Sequence, residues 1–448
     1  MDHSRRKFCK NTASLIAGTG LVASMPGWAG CSSKERIRVG VIGVKGMGFS
    51  NLSRFIEQPD VDIVALCDVD QNVLEQRAKD TQTLYKKVQE KRGVTNAPEL
   101  KLRLYKDFRR LIEDKEVDAV IVGTPDHWHL LPTVYACEAG KDVYVEKPMA
   151  NTIGECLLME KAAQRYGRVI QVGQWQRSGS HWLDAINYVH SGQLGRIRTV
   201  KAWAYLSWCK PQAHANAQVP AGVDYDFWLG PAAKRPFNPS RFHFHFRWWW
   251  DYAGGLMTDW GVHLLDFALY GMKAKTPKSI MAMGGNYSID KAAMETPDTQ
   301  TTIYEFDDFM LQWEHAIGID MGPYKRGHGV AFIGDMGTLV VDRGGWEVIQ
   351  EKAGKKAEID PVPRISGDGR DHPNHVRNFL DCIKHGGTPN ASVEVGKDVA
   401  MVAHMGNIAY RTQSKLLWDS KQNRFIENEA ANQLIMPTYR APWTLPNL

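Results

Sequence analysis

The sequence predicts an α/β protein in two parts, a doubly wound parallel sheet followed by a second α/β domain on an antiparallel or mixed sheet. Three observations carry this. A β-branched run, Ile37–Ile42, leads directly into a glycine-rich turn. Short apolar runs then alternate with helical periods to about residue 150, the pattern of βαβ units. Beyond Thr152 the strand-like segments lengthen and alternate apolar with polar residues, as in a sheet with one open face. At 448 residues the chain has room for both parts.

The elements follow in order. After the first strand a helix is expected over about 50–58, then a buried strand over 62–67 that ends at Asp68. Residues 76–105 read as a charged, helical insertion. A third unit places a strand over 117–122, a proline-containing turn and a helix over about 131–139. Asp142–Val145 makes a further strand, followed by Glu146-Lys147-Pro148. The first domain is therefore set at 36–152 and the second at 153–425. The second opens with a helix over Ile153–Tyr166 and a strand over 169–172. Alternating strands are expected over 197–205, 301–306 and 310–313, with closing helices near 375–385 and 395–413. The tail, 426–448, holds Pro437, Pro442 and Pro446 and reads as an extended arm.

The turn after the first strand reads Gly43-Val44-Lys45-Gly46-Met47-Gly48. A dinucleotide loop calls for G-x-G-x-x-G, because the backbone must turn tightly and let a pyrophosphate approach a helix N-terminus. Gly43 and Gly48 fill the outer positions, while Lys45 replaces the middle glycine and Gly46 is displaced by one. The context supplies what the imperfect motif lacks. The turn follows a strand and opens a helix, and Asp68 lies twenty residues beyond Gly48 at the next strand's end. Asp68 there accepts hydrogen bonds from an adenosine ribose and repels a 2′-phosphate, which favours NAD. Lys45 pulls the other way and leaves NADP open.

Two further turns sharpen the reading. Thr124-Pro125-Asp126-His127-Trp128-His129 follows the strand ending at Val122, and Glu146-Lys147-Pro148 follows the one ending at Val145. With the glycine turn, and with Gly254-Gly255-Leu256-Met257-Thr258-Asp259-Trp260-Gly261-Val262-His263 downstream, they resemble the glucose–fructose oxidoreductase, inositol dehydrogenase and rhizopine-catabolism family over roughly 36–420. The resemblance implies an N-terminal Rossmann domain and a C-terminal α/β domain with a large open, mostly antiparallel sheet that often forms an oligomer interface, so a homodimer or tetramer is expected. It also implies cofactor contacts from Gly43, Lys45, Gly46, Met47, Gly48, Asp68, Thr124, Pro125, His127, His129, Glu146 and Lys147. It maps the lysine beside the nicotinamide and the reacting hydroxyl onto Lys147, and the Asp and His of the second motif onto Asp259 and His263. These residue types suit the chemistry. Taking a hydride from a carbinol carbon requires its hydroxyl proton to leave, and neutral imidazole is a base for that near pH 7. An ammonium at Lys147 stabilises the developing alkoxide. Asp259, at i−4 on one helix face with His263, orients the ring or holds a substrate hydroxyl.

Other residues are candidates for the sugar. Gln174 and Arg177 follow the strand over 169–172, Trp250 closes the Trp248-Trp249-Trp250 run beside Arg247, and Tyr205 and His375 complete the set. The H-x-H pairs His127/His129 and His243/His245 have metal-ligand spacing but no carboxylate or cysteine in register, so no metal is expected.

The first thirty residues do not read as fold. Arg5-Arg6-Lys7-Phe8 precedes a short Gly/Ala/Ser-rich apolar run, which resembles a twin-arginine export signal within residues 1–31. Trp28-Ala29-Gly30-Cys31 resembles a lipoprotein cleavage box, so the protein is expected to be periplasmic or lipid-anchored through Cys31. Without residues 1–30, which carry Arg5, Arg6, Lys7 and Lys10 against Asp2, 51 basic and 49 acidic residues remain, and nothing asks for a nucleic-acid partner. The five remaining cysteines lack CxxC spacing and are neither a disulfide framework nor a zinc site. Export has a mechanistic consequence. With no nicotinamide pool outside the cytoplasm, the cofactor must be tightly bound and reoxidised in place. Either a second sugar takes the hydride, or the same glycoside takes it back. The latter is the course of NAD-dependent glycosidases of this family, which oxidise C3, eliminate the aglycone, add water and reduce the ketone. Tyr205, Tyr225 or His243 is a candidate for the extra base near C2. A non-catalytic sugar-binding protein would be marked by loss of Lys147 or His263, and both are present.

Overall fold

The computed structural model describes residues 36–351 and 358–448; the twin-arginine segment and Cys31 lie outside them. The first sheet is built from β1 (Ile37–Ile42), β2 (Val61–Cys67), β3 (Arg103–Tyr105), β4 (Ala119–Val122), β5 (Asp142–Val145) and β6 (Ile170–Val172). Its order is β3-β2-β1-β4-β5-β6 and every pairing is parallel. Such a sheet must be covered on both faces, and the strand alternation does this. Val39, Val41, Ala119 and Ile121 face one core, while Ile42, Val120 and Val122 face the other. The helices α1 (Met47–Ile56) and α2 (Gln71–Lys91) supply the first face; α3 (Phe108–Glu113), α4 (Leu130–Glu138) and α5 (Ile153–Tyr166) supply the second. Asp70 caps α2 through the amides of Asn72 and Val73. Thr152 caps α5 through the Glu155 amide, and the Glu155 carboxylate reaches back to the Asn151 amide, in the manner of a capping box.

Two boundaries differ from expectation. β6 pairs with β5, so the parallel sheet runs on past residue 152. The helix expected near 375–385 spans Asp371–His385, and its Val376, Phe379, Leu380 and Ile383 pack on the first face of the parallel sheet, beside α1. An i, i+3, i+4, i+7 stripe announces a helix but not the sheet it covers. The expected insertion over 76–105 is α2 followed by a loop into β3.

The chain continues through α6 (Ser180–His190), β7 (Thr199–Leu206), α7 (Tyr225–Leu229), α8 (Gly255–Asp259) and α9 (Gly261–Met272). Then follow β8 (Ser279–Gly285), β9 (Thr299–Glu305), β10 (Met310–Ile317), β11 (His328–Ile333), β12 (Gly337–Asp342), β13 (Gly345–Gln350) and β14 (Val362–Ser366). The helices α10 (Asp371–His385) and α11 (Val393–Thr412) precede β15 (Leu416–Asp419), β16 (Arg424–Phe425) and α12 (Glu429–Asn432). The second sheet has ten strands in the order β14-β13-β12-β11-β7-β10-β9-β8-β15-β16, antiparallel except for β7 against β10. One face carries α6, α9 and α11. The other is open and apolar, with Met281, Met283, Ile303, Met310, Ile349 and Leu417 exposed. The C-terminal arm docks back on both domains, where Arg440 bonds Asp226 of α7 and the Trp443 ring meets Trp128 of the first domain at 4.8 Å. The cysteines at 67, 137, 156, 209 and 382 are buried and unpaired, and no described helix is long and apolar enough to cross a membrane.

Candidate active site

The order of the parallel sheet reverses between β1 and β4, where doubly wound sheets leave a crevice at their strands' C-terminal ends. A cleft of about 380 Å³ lies there, lined by the turns after β1, β2, β4 and β5. Glycine is required at its base. A Cβ on Gly48 would lie 1.8 Å from the Gly43 carbonyl oxygen, and one on Gly43 would meet the Gly123 backbone at 2.8 Å. Gly123, which lies outside the sequence motif, would itself place a Cβ 2.5 Å from the Gly48 Cα. Gly46, at φ 53°, caps α1, and a Cβ there would have nothing within 4 Å. Its open flank faces the approach that a pyrophosphate takes to a helix N-terminus. Lys45 and Met47 line the cleft beside it. Asp68 accepts from the amides of Val44 and Asp70, both at 3.0 Å, and burial raises its carboxyl to about 6 despite those bonds. The glycine cradle, the helix N-terminus and Asp68 together fit a dinucleotide.

The cleft is roofed by the second domain. Gln71 N donates to Gly222 O at 2.9 Å, Asp224 N to Val69 O at 3.0 Å, and His243 Nε2 lies 3.0 Å from Asp70 Oδ2. Phe227, Trp228, His243 and Phe244 form this wall. His243 holds φ 51°, an unusual conformation for a non-glycine residue.

At the far end Lys147 donates from Nζ to Asp259 Oδ1 at 2.7 Å and to Asp259 O at 2.9 Å, across a cis Lys147–Pro148 turn. Arg247 Nε stands 3.4 Å from Asp259 Oδ2. Burial pushes the Asp259 carboxyl up, but Lys147 and Arg247 outweigh it and hold it well below the usual range. Asp259 and His263 do not share one continuous helix. The Asp259 carbonyl takes Lys147, and the His263 amide bonds Trp260 O at 3.1 Å instead, so the helix breaks at Trp260. Asp259 therefore pairs with Lys147 rather than orienting the imidazole. His263 is buried, its Nδ1 has no partner among the described residues, and burial with Lys147 and Arg343 nearby drives its pKa well below 6.5. Glu146 accepts from Asn51 at 2.8 Å, and burial raises it.

Asp126 lines the same end, and burial, only partly offset by Lys147, raises it to about 8. A raised carboxyl favours the folded state in its protonated form. That stability is complete below the unfolded pKa near 4 and is lost as pH rises through about 8. An Asp126→Asn variant is therefore expected to match the wild type at pH 4 and to exceed it increasingly up to pH 8, read as melting temperature against pH. A gap that does not change with pH would contradict the assignment.

Other sequence candidates are placed elsewhere. His127 is buried among Trp228 and Tyr252, with Nε2 3.0 Å from Trp228 O. His129 lies between Pro148 O at 2.7 Å and Thr124 O at 2.9 Å, tying the two motif turns together behind the cleft that Thr124 and Pro125 line. Neither histidine lines the cleft, because the short helical turn at Asp126 swings both into the core. Arg177 is taken by buried Asp266 at 2.6 Å, an ion pair that commits its charge. His375 bonds Ser178 Oγ and Val172 O beneath α10. Trp250 packs by Tyr410 under Arg411. Tyr205 points to the open face of the second sheet and donates to Glu314 at 3.2 Å; one residue's parity along β7 decides this. Tyr225 sits in an aromatic cluster with Phe237 and Phe242. Gln174 is buried and neither atom of its amide has a partner among the described residues. Around His263 stand Trp175, which the sequence offers with Gln174 and Arg177, at 5.9 Å and Trp260 at 6.3 Å between ring centroids, with Arg343 and His328, which it does not offer, beyond them. Trp260 was legible, lying inside the second motif, but nothing local marks a hairpin arginine such as Arg343. No group of three or more metal-ligating side chains occurs among the described residues.

Comparison with known proteins agrees with this geometry. The sequence model of the GFO_IDH_MocA oxidoreductase family, NAD-binding Rossmann fold, matches residues 37–174, and that of its C-terminal alpha/beta domain matches 189–290 and 353–445. A glycosyl hydrolase family 109 protein of Shewanella baltica is 32% identical over 161 residues, 36% of this chain and 33% of that protein. An alpha-N-acetylgalactosaminidase of Shewanella oneidensis is 29% identical over 163 residues, 36% and 34% of the two chains. The chain thus matches about a third of the length of these curated relatives. Among solved structures, aldose-aldose oxidoreductase from Caulobacter crescentus complexed with glycerol superposes with a TM-score of 0.61 at 21% identity, over 85% of this chain and 99% of that one. Levoglucosan dehydrogenase in complex with NADH and levoglucosan gives 0.61 at 18% identity, over 85% and 98%. These two share the fold.

Proposed function

The chain belongs to the Gfo/Idh/MocA oxidoreductase family, with its NAD-binding Rossmann domain, and from that premise we propose that it oxidises a secondary hydroxyl of a sugar or glycoside with an NAD that stays bound and is recycled in place. The observation that carries this is the Lys147–Asp259 pair, 2.7 Å apart at one end of the cofactor cleft, with His263 buried behind the lining, its Nδ1 without a partner among the described residues and close enough to feel both charges. An NAD held by the glycine turn, the N-terminus of α1 and Asp68 would supply the hydride acceptor for the carbinol carbon. His263, kept neutral, takes the hydroxyl proton on Nδ1. Lys147, pinned by two bonds to Asp259, presents its charge to the alkoxide as it forms, and Asp259 offsets that charge in a site shielded from water.

Retention of the cofactor is supported by the roof over the cleft, where the strap around 222–244 ties to Val69, Asp70 and Gln71, and by Trp443 of the C-terminal arm packed on Trp128 and Phe227. It accords with the twin-arginine signal read at Arg5-Arg6 and with lipid anchoring through Cys31, both part of this proposal. The open apolar face of the second sheet is offered as the contact of a homo-oligomer.

A second reading is favoured by the similarity of about a third of the chain to glycosyl hydrolase family 109 proteins. The same residues then oxidise C3 transiently, a base removes the acidified C2 proton, the aglycone leaves, and water and the hydride return. Of the three candidates for that base only His243 lines the cleft, and it is bonded to Asp70 away from Lys147, so the C2 base of this reading is not among them. One experiment tests both. Purified protein without added NAD should change its nicotinamide absorbance on adding a glycoside, with nucleotide found by mass spectrometry. A ketosugar product supports the oxidoreductase, and free aglycone with unoxidised sugar supports the hydrolase. No absorbance change with any sugar or glycoside would sink both.

A further inference from the structure

Arg343 follows β12 in the turn to β13, on the helix-covered side of the second sheet. Its guanidinium carbon lies 4.3 Å from the centre of the Trp260 ring and 4.7 Å from that of Trp175. Both rings also contact His263. The aromatic faces attract the cation but accept none of its N–H donors in the way an oxygen does. Those donors have one protein partner among the described residues, Gln176 Oε1 at a long 3.4 Å, and Nε is buried without any.

The neighbouring cations of this basin are committed. Lys147 and Arg247 both pair with Asp259. Asp342, the residue before Arg343, is taken by Arg326 and Arg364. Arg343 forms no ion pair among the described residues, although Asp259 and Asp371 are near enough to act on it through space. Gln176 Nε2 is a further buried donor, and His328 Nε2 a buried ring nitrogen, without partners among the described residues. A half-buried cation with unsatisfied donors is costly unless a ligand supplies the acceptor. Arg343 and His328 both flank the Trp260 ring that contacts the imidazole.

We propose that Arg343 receives an anionic substituent of the substrate, and that the substrate is accordingly a sugar carrying a carboxylate. A guanidinium held against two indoles offers a planar fork, which matches a flat carboxylate with two parallel hydrogen bonds. This assignment rests on the oxidoreductase reading for the site it serves, but binding alone decides it.

The test titrates intrinsic tryptophan fluorescence of the full protein with the methyl glycosides of glucuronic acid and glucose and with glucose 6-phosphate. Trp175 and Trp260, two of the fifteen tryptophans, lie against Arg343, and the change lost in Trp175→Phe identifies their share of the signal. The glucuronoside is expected to quench at concentrations about ten- to a hundredfold lower than the neutral glucoside. Arg343→Gln abolishes that preference, Arg343→Lys retains part of it, and nucleotide content stays unchanged in both. Turnover, where seen, then shows a raised KM for the uronate and an unchanged KM for the neutral glycoside. Equal binding of the charged and neutral glycosides by the wild type overturns the proposal. Tighter binding of the phosphate overturns the carboxylate class. Absence of any absorbance change with quenching intact counts against the redox reading alone.

Discussion

Lys147→Met is expected to lower turnover by about a thousandfold while leaving bound nucleotide in place. Methionine keeps most of the volume of the buried lysine stem and removes only the ammonium. In the wild type that ammonium makes two bonds to Asp259, through Oδ1 and the carbonyl. Its loss has three consequences. The alkoxide forms without a cation facing it, which is the direct rate effect. Asp259 keeps only Arg247 at 3.4 Å, so its carboxyl moves up from its depressed position. His263 loses the largest charge holding its pKa down, so the acid limb of the residual activity shifts to higher pH. A merely structural lysine would leave the pH profile where it is. Rates against pH for the wild type and Lys147→Met, with nucleotide measured in each, distinguish the two. Full turnover in the variant would remove Lys147 from the reaction.

The parallel sheet was readable because each strand is a short apolar run closed by a turn whose residues are few in kind, and because Gly43, Gly48 and Asp68 stand in a fixed order around it. Lys147, Asp259 and His263 were found through their motifs, and the fold sets Lys147 against Asp259 at one end of the cleft with His263 buried near enough to feel both charges. What the sequence hid was direction. Tyr205 and Trp250 look alike as aromatic candidates, but β7's alternation sends Tyr205 to the open face while Trp250 packs under Arg411. Arg177 carries the right charge for a sugar pocket, yet Asp266, 89 residues later, consumes it. Arg343 shows the converse, since its two tryptophan neighbours come from distant segments and no local pattern ties them. Pairing across the chain decides which charges stay available, and one strand of sequence does not carry it.

The largest effect on the fold itself is expected from Gly48→Ala. Three glycines close the base of the cleft, and the contact is backbone to backbone. A Cβ at position 48 would stand 1.8 Å from Gly43 O and 2.9 Å from Gly43 C, with Gly123 O at 3.5 Å. No rotamer change relieves that clash, because the atoms it meets are main chain. Either the turn after β1 opens or the N-terminus of α1 lifts from the sheet. Opening the turn frees Gly43 N from Cys67 O, a 2.9 Å bond that closes it, and lifting α1 unpacks Leu52 and Phe55 from the core. A cost of roughly 3 kcal/mol is expected. Nucleotide binding fails for the same reason, since both routes displace the amides at the helix N-terminus. Gly46→Ala separates the causes. Nothing lies within 4 Å of a Cβ at that position, so the variant suffers only from φ 53°, a backbone strain of about 1–3 kcal/mol. Gly48→Ala is expected to purify without nucleotide and to melt much earlier, whereas Gly46→Ala, whose Cβ would stand in the open flank of the cleft, weakens nucleotide binding with only the smaller loss in melting temperature. If Gly48→Ala retained nucleotide at the wild-type ratio, the three-glycine contact would not be what shapes this site.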